Sequence, residues 1–281
     1  MKKSLTLVFL LFLTICSAQK ELLYISTVSG NFDIFKLDLQ TGASEQLTDN
    51  AGWDWAPKYI PKNGEILYYS TDTTDTFSYR LMDPDGCGVA LEAIEGENLT
   101  PSPDGKNFTY TSKTGDHQYI FLYDRCTLER KKVVGSKSYN GRVCWKRDGS
   151  GFAFISDRDG NNEIYYFELK GKRMLRLTND EKRQKYMAWS PDGKHLVFSE
   201  ELSDTANQLK ILELATGKIT ELTGTEYIES ELSWSPDGQH IAFHSKRDQG
   251  DQLYMIHVET KKVRQLTFAR AYHGEPEWIN D

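Results

Sequence analysis

The chain is 281 residues long, with a formal charge of −7, 27% charged residues and 12% aromatic residues. That length and aromatic content can build a packed core, which excludes disorder as the main state. The acidic balance argues against nucleic acid or an anionic membrane surface as the main partner.

The first element is a leader. Lys2 and Lys3 precede the apolar run Leu5–Ile15, and Cys16-Ser17-Ala18 follows. A basic start, a short apolar stretch and small residues at −3 and −1 of a cut after Ala18 read as a secretory signal; the alternative is a buried N-terminal segment. The run is too short to span a bilayer as a helix. Leu13-Thr14-Ile15-Cys16 has the outline of a lipid-attachment site but places bulky Ile15 where a small residue belongs. The expectation is a signal peptide at 1–18 and a single domain at 19–281, periplasmic or secreted, with no stable membrane insertion. The mature chain keeps Cys87, Cys126 and Cys144, an odd number with no C-x-x-C. Such a set is no disulfide framework, and Cys87 with Cys126 is the one pair worth testing.

Beyond the leader the chain repeats itself. Leu22-Leu23-Tyr24-Ile25-Ser26 is the first strand-like run. A punctuating motif then recurs: Tyr59-Ile60-Pro61 running to Asn63-Gly64, then Pro101-Ser102-Pro103-Asp104-Gly105, Trp145-Lys146-Arg147-Asp148-Gly149, Trp189-Ser190-Pro191-Asp192-Gly193 and Trp234-Ser235-Pro236-Asp237-Gly238, with Trp278 heading a truncated copy. The leading residues of these six copies lie 42 to 45 positions apart. After each Asp-Gly turn comes an apolar run such as His240-Ile241-Ala242-Phe243, then a polar hairpin, then a third run such as Leu253-Tyr254-Met255-Ile256. A fourth closes on Leu47-Thr48, Leu177-Thr178, Leu222-Thr223 or Leu266-Thr267. Short β-branched and aromatic runs bounded by turn residues are strands, and this period with four strands per unit is that of propeller blades. The chain starts in mid-unit and stops after a first strand, so one blade is expected to be built from both ends, which closes the ring. The predicted fold is all-β: a six-bladed β-propeller of four-stranded blades, with no helical stretch for an α/β catalytic domain.

The W-S-P-D-G turn, the following apolar run, the polar hairpin and the closing Leu-Thr resemble the WD-like repeats of the TolB propeller family. The resemblance covers residues 21 to 281 and is strongest from Gly141 to Thr267. It implies the propeller fold, and propeller function usually sits at the mouth of the central channel. TolB itself has an α/β domain ahead of its propeller, and these 281 residues hold no stretch for one, which argues against membership of the Tol–Pal envelope system.

Candidate site residues come from the innermost strands. Three positions before the repeat anchor stand Ala56, Asn98, Arg142, Tyr186, Glu231 and Glu275. Strand alternation turns these away from the anchor face and into one ring around the channel. Arg142 against Glu231 and Glu275 suits a peptide end or polar ligand held by charge-assisted hydrogen bonds; the plainer alternative is a water-filled polar channel. His273, beside Glu275, is added as a rim residue, and Trp55, with Trp53, as a stacking surface or as packing under the neighbouring blade. Asp157-x-Asp159-x-Asn161-x-Glu163 has the opening spacing of a calcium loop, but Asn162 and Leu169 stand where Gly and Glu belong, so it reads as a hairpin. No nucleophile elbow, phosphate loop or H-E-x-x-H is present.

These residues lead to the expectation of a non-catalytic binding or scaffold protein. Its partner is a protein or peptide of the cell envelope, with a glycan as a further candidate, and it has no catalytic residues, metal or cofactor. The alternatives are a stand-alone propeller enzyme, a lyase or hydrolase acting on an extracellular carbohydrate, and a binder of glycans or small molecules.

Overall fold

The computed structural model describes residues 21–74, 76–83, 88–90, 94 and 96–279. The leader, its cut after Ala18 and the Cys87–Cys126 pairing fall outside the described residues; Cys126 and Cys144 are free thiols. Every described element is a strand, and the strands form six four-stranded sheets. The innermost strands of blades 1 to 6 are Asp54–Ile60, Glu97–Pro101, Asn140–Trp145, Gln184–Trp189, Ile228–Trp234 and His273–Trp278. In blade 6 the strand His273–Trp278 pairs antiparallel with Glu21–Ser26, Ser26 opposite His273, so the two ends of the chain share one sheet as expected.

Each repeated motif has a local bonding task. In the turn, Ser190 Oγ donates to Asp192 Oδ1 at 2.6 Å and accepts from the His195 amide at 2.9 Å; Ser235 does the same with Asp237 and His240. The turn requires a left-handed residue, supplied by Gly193 at φ +66° and Gly238 at φ +70°. The anchor tryptophans reach across to the preceding blade. Trp189, Trp234 and Trp278 Nε1 donate to the carbonyls of Cys144, Ala188 and Ser233 at 3.1, 3.1 and 3.2 Å. The closing Leu-Thr works through its threonine: Oγ1 of Thr48, Thr178, Thr223 and Thr267 accepts the amide of Ile34, Ile164, Leu209 and Leu253 at 2.9 to 3.0 Å. These bonds satisfy backbone groups that would otherwise be buried without partners.

The core lies between blades. Trp234, Ile241, Phe243 and Ile256 of blade 5 pack with Val197, Leu209 and Ile211 of blade 4 in one buried cluster. The same arrangement recurs between blades 3 and 4 around Trp189 and Phe198. The segment with calcium-loop spacing is a hairpin. Asp159 accepts from the Tyr165 hydroxyl, Asn161 donates to the carbonyls of Asp180 and Lys182, and Glu163 pairs with Arg176.

Candidate functional site at the channel mouth

The innermost strands are not regular. Each carries one extra residue against its neighbour, with register shifts between Trp55 and Lys58, Glu97 and Thr100, Gly141 and Cys144, Gln184 and Met187, and Ser230 and Ser233. In blade 6 the offset lies between Gly274 and Glu277. This is a β-bulge repeated around the ring. It falls on the residues three before the anchor, and five of them are left-handed: Ala56 (φ 54°), Asn98 (φ 56°), Arg142 (φ 50°), Glu231 (φ 55°) and Glu275 (φ 50°). Outside glycine that conformation costs about 1–2 kcal/mol per residue, and such strain gathers at functional sites. The ring read from the sequence therefore exists as a set of positions, but the bulge, not simple strand alternation, aims its side chains.

The bulge lets each ring carboxylate reach the next blade. Glu231 Oε2 accepts the Glu275 amide at 2.7 Å, and Glu275 Oε2 accepts the Ala56 amide at 2.5 Å. The Tyr272 hydroxyl adds bonds to Glu231 at 3.2 and 3.3 Å, and burial together with the nearby carboxylates raises its pKa. Burial, then the Glu231 charge, pushes Glu275 up to about 7, against the opposing pull of Lys58, the Ala56 amide and Arg142. On the other side Arg142 lies over the Tyr186 ring at 4.1 Å and donates to its hydroxyl at 3.5 Å. Both residues border a cavity of about 370 Å³ with Tyr139, Lys185 and Ser230. Asn98 donates to Thr111 Oγ1 at 3.2 Å.

One of the expected rim residues, His273, sits differently. His273 is only 3% exposed and packs against Tyr24 at 5.8 Å, so it belongs to the blade interior and not to an open rim. Burial lowers its pKa, which keeps the ring neutral near pH 7. Trp55 is half-buried, 4.8 Å from Tyr69 and 6.3 Å from Trp53, in an aromatic arc described below.

Apart from His273, the sequence reading missed two sets of residues. One position before the anchor, Lys58, Thr100, Cys144, Ala188, Ser233 and Glu277 line a channel cavity of about 210 Å³. There Lys58 pairs with Glu277 at 3.3 Å. Burial works to lower the Lys58 ammonium, but Glu277 and Glu275 hold it above its ordinary value. Burial pushes the Cys144 thiol up to about 11, so it stays protonated. Five positions before the anchor, Asp54, Asn140, Gln184, Glu229 and His273 are all buried. Asn140 donates to the Gln118 carbonyl of the preceding blade at 3.0 Å, and Arg247 pairs with Glu229 at 3.3 Å. A recurring polar residue at a fixed offset before the anchor was the signal for both sets. A larger cavity of about 670 Å³ lies at the turns of blades 4 and 5, between Asp192, His195, Asp237 and His257, apart from the ring. Among the described residues, no group of three or more His, Cys, Asp or Glu is placed to hold a metal ion.

Comparison with known proteins agrees with this architecture. The family model for the TolB beta propeller domain matches residues 71–204 and 182–281. The chain belongs to the TolB beta-propeller family. The structure of TolB from Acinetobacter baumannii superposes with a TM-score of 0.82 at 21% identity, covering 94% of this chain and 67% of that one. The Tol-Pal system protein TolB of Alcanivorax borkumensis is 31% identical over 102 residues, 34% of this chain and 24% of that protein. An uncharacterized peptidase, YuxL, of Bacillus subtilis is 26% identical over 182 residues, 63% of this chain and 26% of the peptidase. The chain spans less than half the length of the curated relatives it matches. An oligogalacturonate lyase in complex with manganese also shares the fold, with a TM-score of 0.62 at 17% identity, covering 88% of this chain and 73% of the lyase. The expectation that the chain is not an enzyme is therefore corrected: the relatives and fold neighbours of this TolB-family propeller include proteins named as a lyase and a peptidase, and enzyme activity is not excluded. No helix among the described residues is long and apolar enough to cross a membrane.

The strain in the ring carries its own prediction. Arg142 is exposed, and its side chain lies over Tyr186. Arg142→Gly relieves the left-handed backbone at the expense of unfolded-state entropy, and a net stabilisation of about 0.5–1 kcal/mol is expected. Urea unfolding checks it: a lowered midpoint at unchanged slope shows that the side chain supports the fold instead.

Proposed function

We propose that the mature chain is a periplasmic or secreted binding propeller that holds a protein or peptide partner at the mouth of its channel. The observation that carries this reading is the ring itself. Five non-glycine residues keep a costly left-handed conformation at one level of the channel, where Arg142 and Glu231, two blades apart, stand without ion-pair partners among the described residues. The leader at 1–18 supports export, and membership of the TolB beta-propeller family supports a binding role.

Affinity capture from the envelope fraction tests the reading with the wild type and an Arg142→Ala/Glu231→Ala double variant. The wild type is expected to retain a partner that the variant loses by tenfold or more. Equal capture by both, or none by either, sinks it. A second reading, action on an extracellular carbohydrate, rests on Glu275: a carboxyl pushed up to about 7 beside a second carboxylate has the titration of a general acid. Turnover of a polysaccharide by the wild type and not by Glu275→Gln would favour it.

A further inference from the structure

The two halves of the mouth differ in a way that defines what each can hold. From Glu231 the rim continues as a contiguous series of rings. The Tyr272 hydroxyl bonds Glu231, Tyr272 lies 5.5 Å from Phe32, and Phe32 lies 5.9 Å from Trp53. Trp53 is 6.3 Å from Trp55, which meets Tyr69 at 4.8 Å and Phe77 at 6.2 Å. Trp53 is 54% exposed and Phe77 57%, a large solvent-facing aromatic area on one blade. Carboxylates stand along this arc: Glu231 against Tyr272, Glu275 on the channel side, and Glu97 close enough to Tyr69 and Tyr79 for its charge to raise their pKa values, second to burial at Tyr69 and more weakly at Tyr79. None of the three is in an ion pair among the described residues.

Elsewhere the protein sets its own cations over aromatic rings: Lys132 over Tyr119 at 4.1 Å, Arg247 over Tyr254 at 4.1 Å and, on the far side of this same mouth, Arg142 over Tyr186 at 4.1 Å. Among the described residues no lysine or arginine lies over any ring of the arc. Open ring faces next to carboxylates that form no ion pair complement a cation with an apolar stem.

We propose that the aromatic arc from Tyr272 to Phe77, with Glu231, Glu275 and Glu97, binds a cationic side chain of the partner polypeptide, a lysine or an arginine. This rests on the reading of the mouth as the partner site and specifies what the partner presents there. The ring faces take the cation and its methylene stem, and the carboxylates neutralise it. The same carboxylates repel an acidic peptide or an anionic glycan, which sets the sign of the selectivity.

Titration of the tryptophan fluorescence of the mature protein tests this. The probes are acetylated, amidated hexapeptides with lysine, norleucine or glutamate at the two central positions, and an oligogalacturonate. The lysine peptide is expected to bind at least tenfold tighter than the norleucine peptide and to weaken at least fivefold between 50 and 500 mM salt. Glu231→Gln and Trp53→Ala are each expected to weaken it tenfold, with thermal unfolding used to verify that both variants fold. Equal binding of the lysine and norleucine peptides, preference for glutamate or oligogalacturonate, or no binding of the lysine peptide to folded protein overturns the inference. If the wild type still captures an envelope partner that Arg142→Ala/Glu231→Ala loses, only the cationic specificity has failed; if capture ignores both substitutions, the mouth itself has failed as the partner site.

Discussion

Trp234→Ala is expected to destabilise the propeller by about 3–5 kcal/mol, the range for deleting a buried aromatic side chain from a packed core. Trp234 is buried among Leu209, Ile211 and Ile241, and its indole N–H is the bond from blade 5 to the Ala188 carbonyl of blade 4. Truncation opens a cavity and also leaves that carbonyl short of its donor. Trp53→Ala is the matched control: the same residue type, more than half exposed, expected to change stability by less than about 0.5 kcal/mol. Urea unfolding of both variants at equal slope checks the pair. A Trp234→Ala cost below about 1.5 kcal/mol would mean that the blades do not depend on the anchors for their cohesion.

The second large effect is on the dependence of stability on pH. Glu275 is pushed up to about 7 from an ordinary 4.5, and Glu229, 3% exposed, is also pushed up to about 7, in both cases by burial first. A carboxyl whose pKa is higher folded than unfolded binds its proton more tightly in the native state. Its contribution is therefore fully present below pH 4.5 and is lost as the pH rises through about 7. The rise from 4.5 to about 7 corresponds to at most about 3.5 kcal/mol for each group. Glu231 lies next to Glu275 as a like charge, while Lys58 and Arg142 oppose the shift. At lower pH the carboxylates held down by partners act in the opposite sense, as Glu65 does through Arg125 at 2.6 and 2.8 Å. Thermal unfolding of the wild type is expected to peak near pH 5 and to fall towards pH 8. Glu275→Gln keeps an acceptor for the Ala56 amide and carries no charge, so it is expected to flatten that fall by about 1–3 kcal/mol. Wild-type and variant profiles that run parallel from pH 5 to 8 would show Glu275 ionising as an ordinary surface carboxyl.

The fold was legible because its punctuation is chemical. Ser190 with Asp192, Thr178 with the Ile164 amide and Trp189 with the Cys144 carbonyl each need one residue type at one offset, and that need repeats with the blades. Pairing of the strand at Glu21–Ser26 with that at His273–Trp278 followed from the same register. The ring was legible as positions and not as geometry. Arg142, Glu231 and Glu275 were singled out by an alternation that the bulge interrupts, and left-handed backbone at a charged residue has no signature in a single sequence. His273 was misplaced for a related reason. A histidine beside a glutamate suggested an exposed pair, whereas it fills the slot that holds Asp54, Asn140, Gln184 and Glu229 in other blades, every one of them buried. The arc was seen only at Trp53 and Trp55, because Phe32, Tyr69, Phe77 and Tyr272 come from four other strands and loops that meet only when the blades close.

The links from carboxylate to amide run one way around the channel, from Glu231 to the Glu275 amide and from Glu275 to the Ala56 amide, and they stop at Ala56, whose methyl group has nothing to pass on. Six similar blades would otherwise present six equivalent orientations to anything entering the mouth, and a guest would be free to rotate among them. This sequence breaks that symmetry with two glutamates, an alanine and an arginine. The pore acquires a heading, and a partner that reads it has a single rotational setting on the disc.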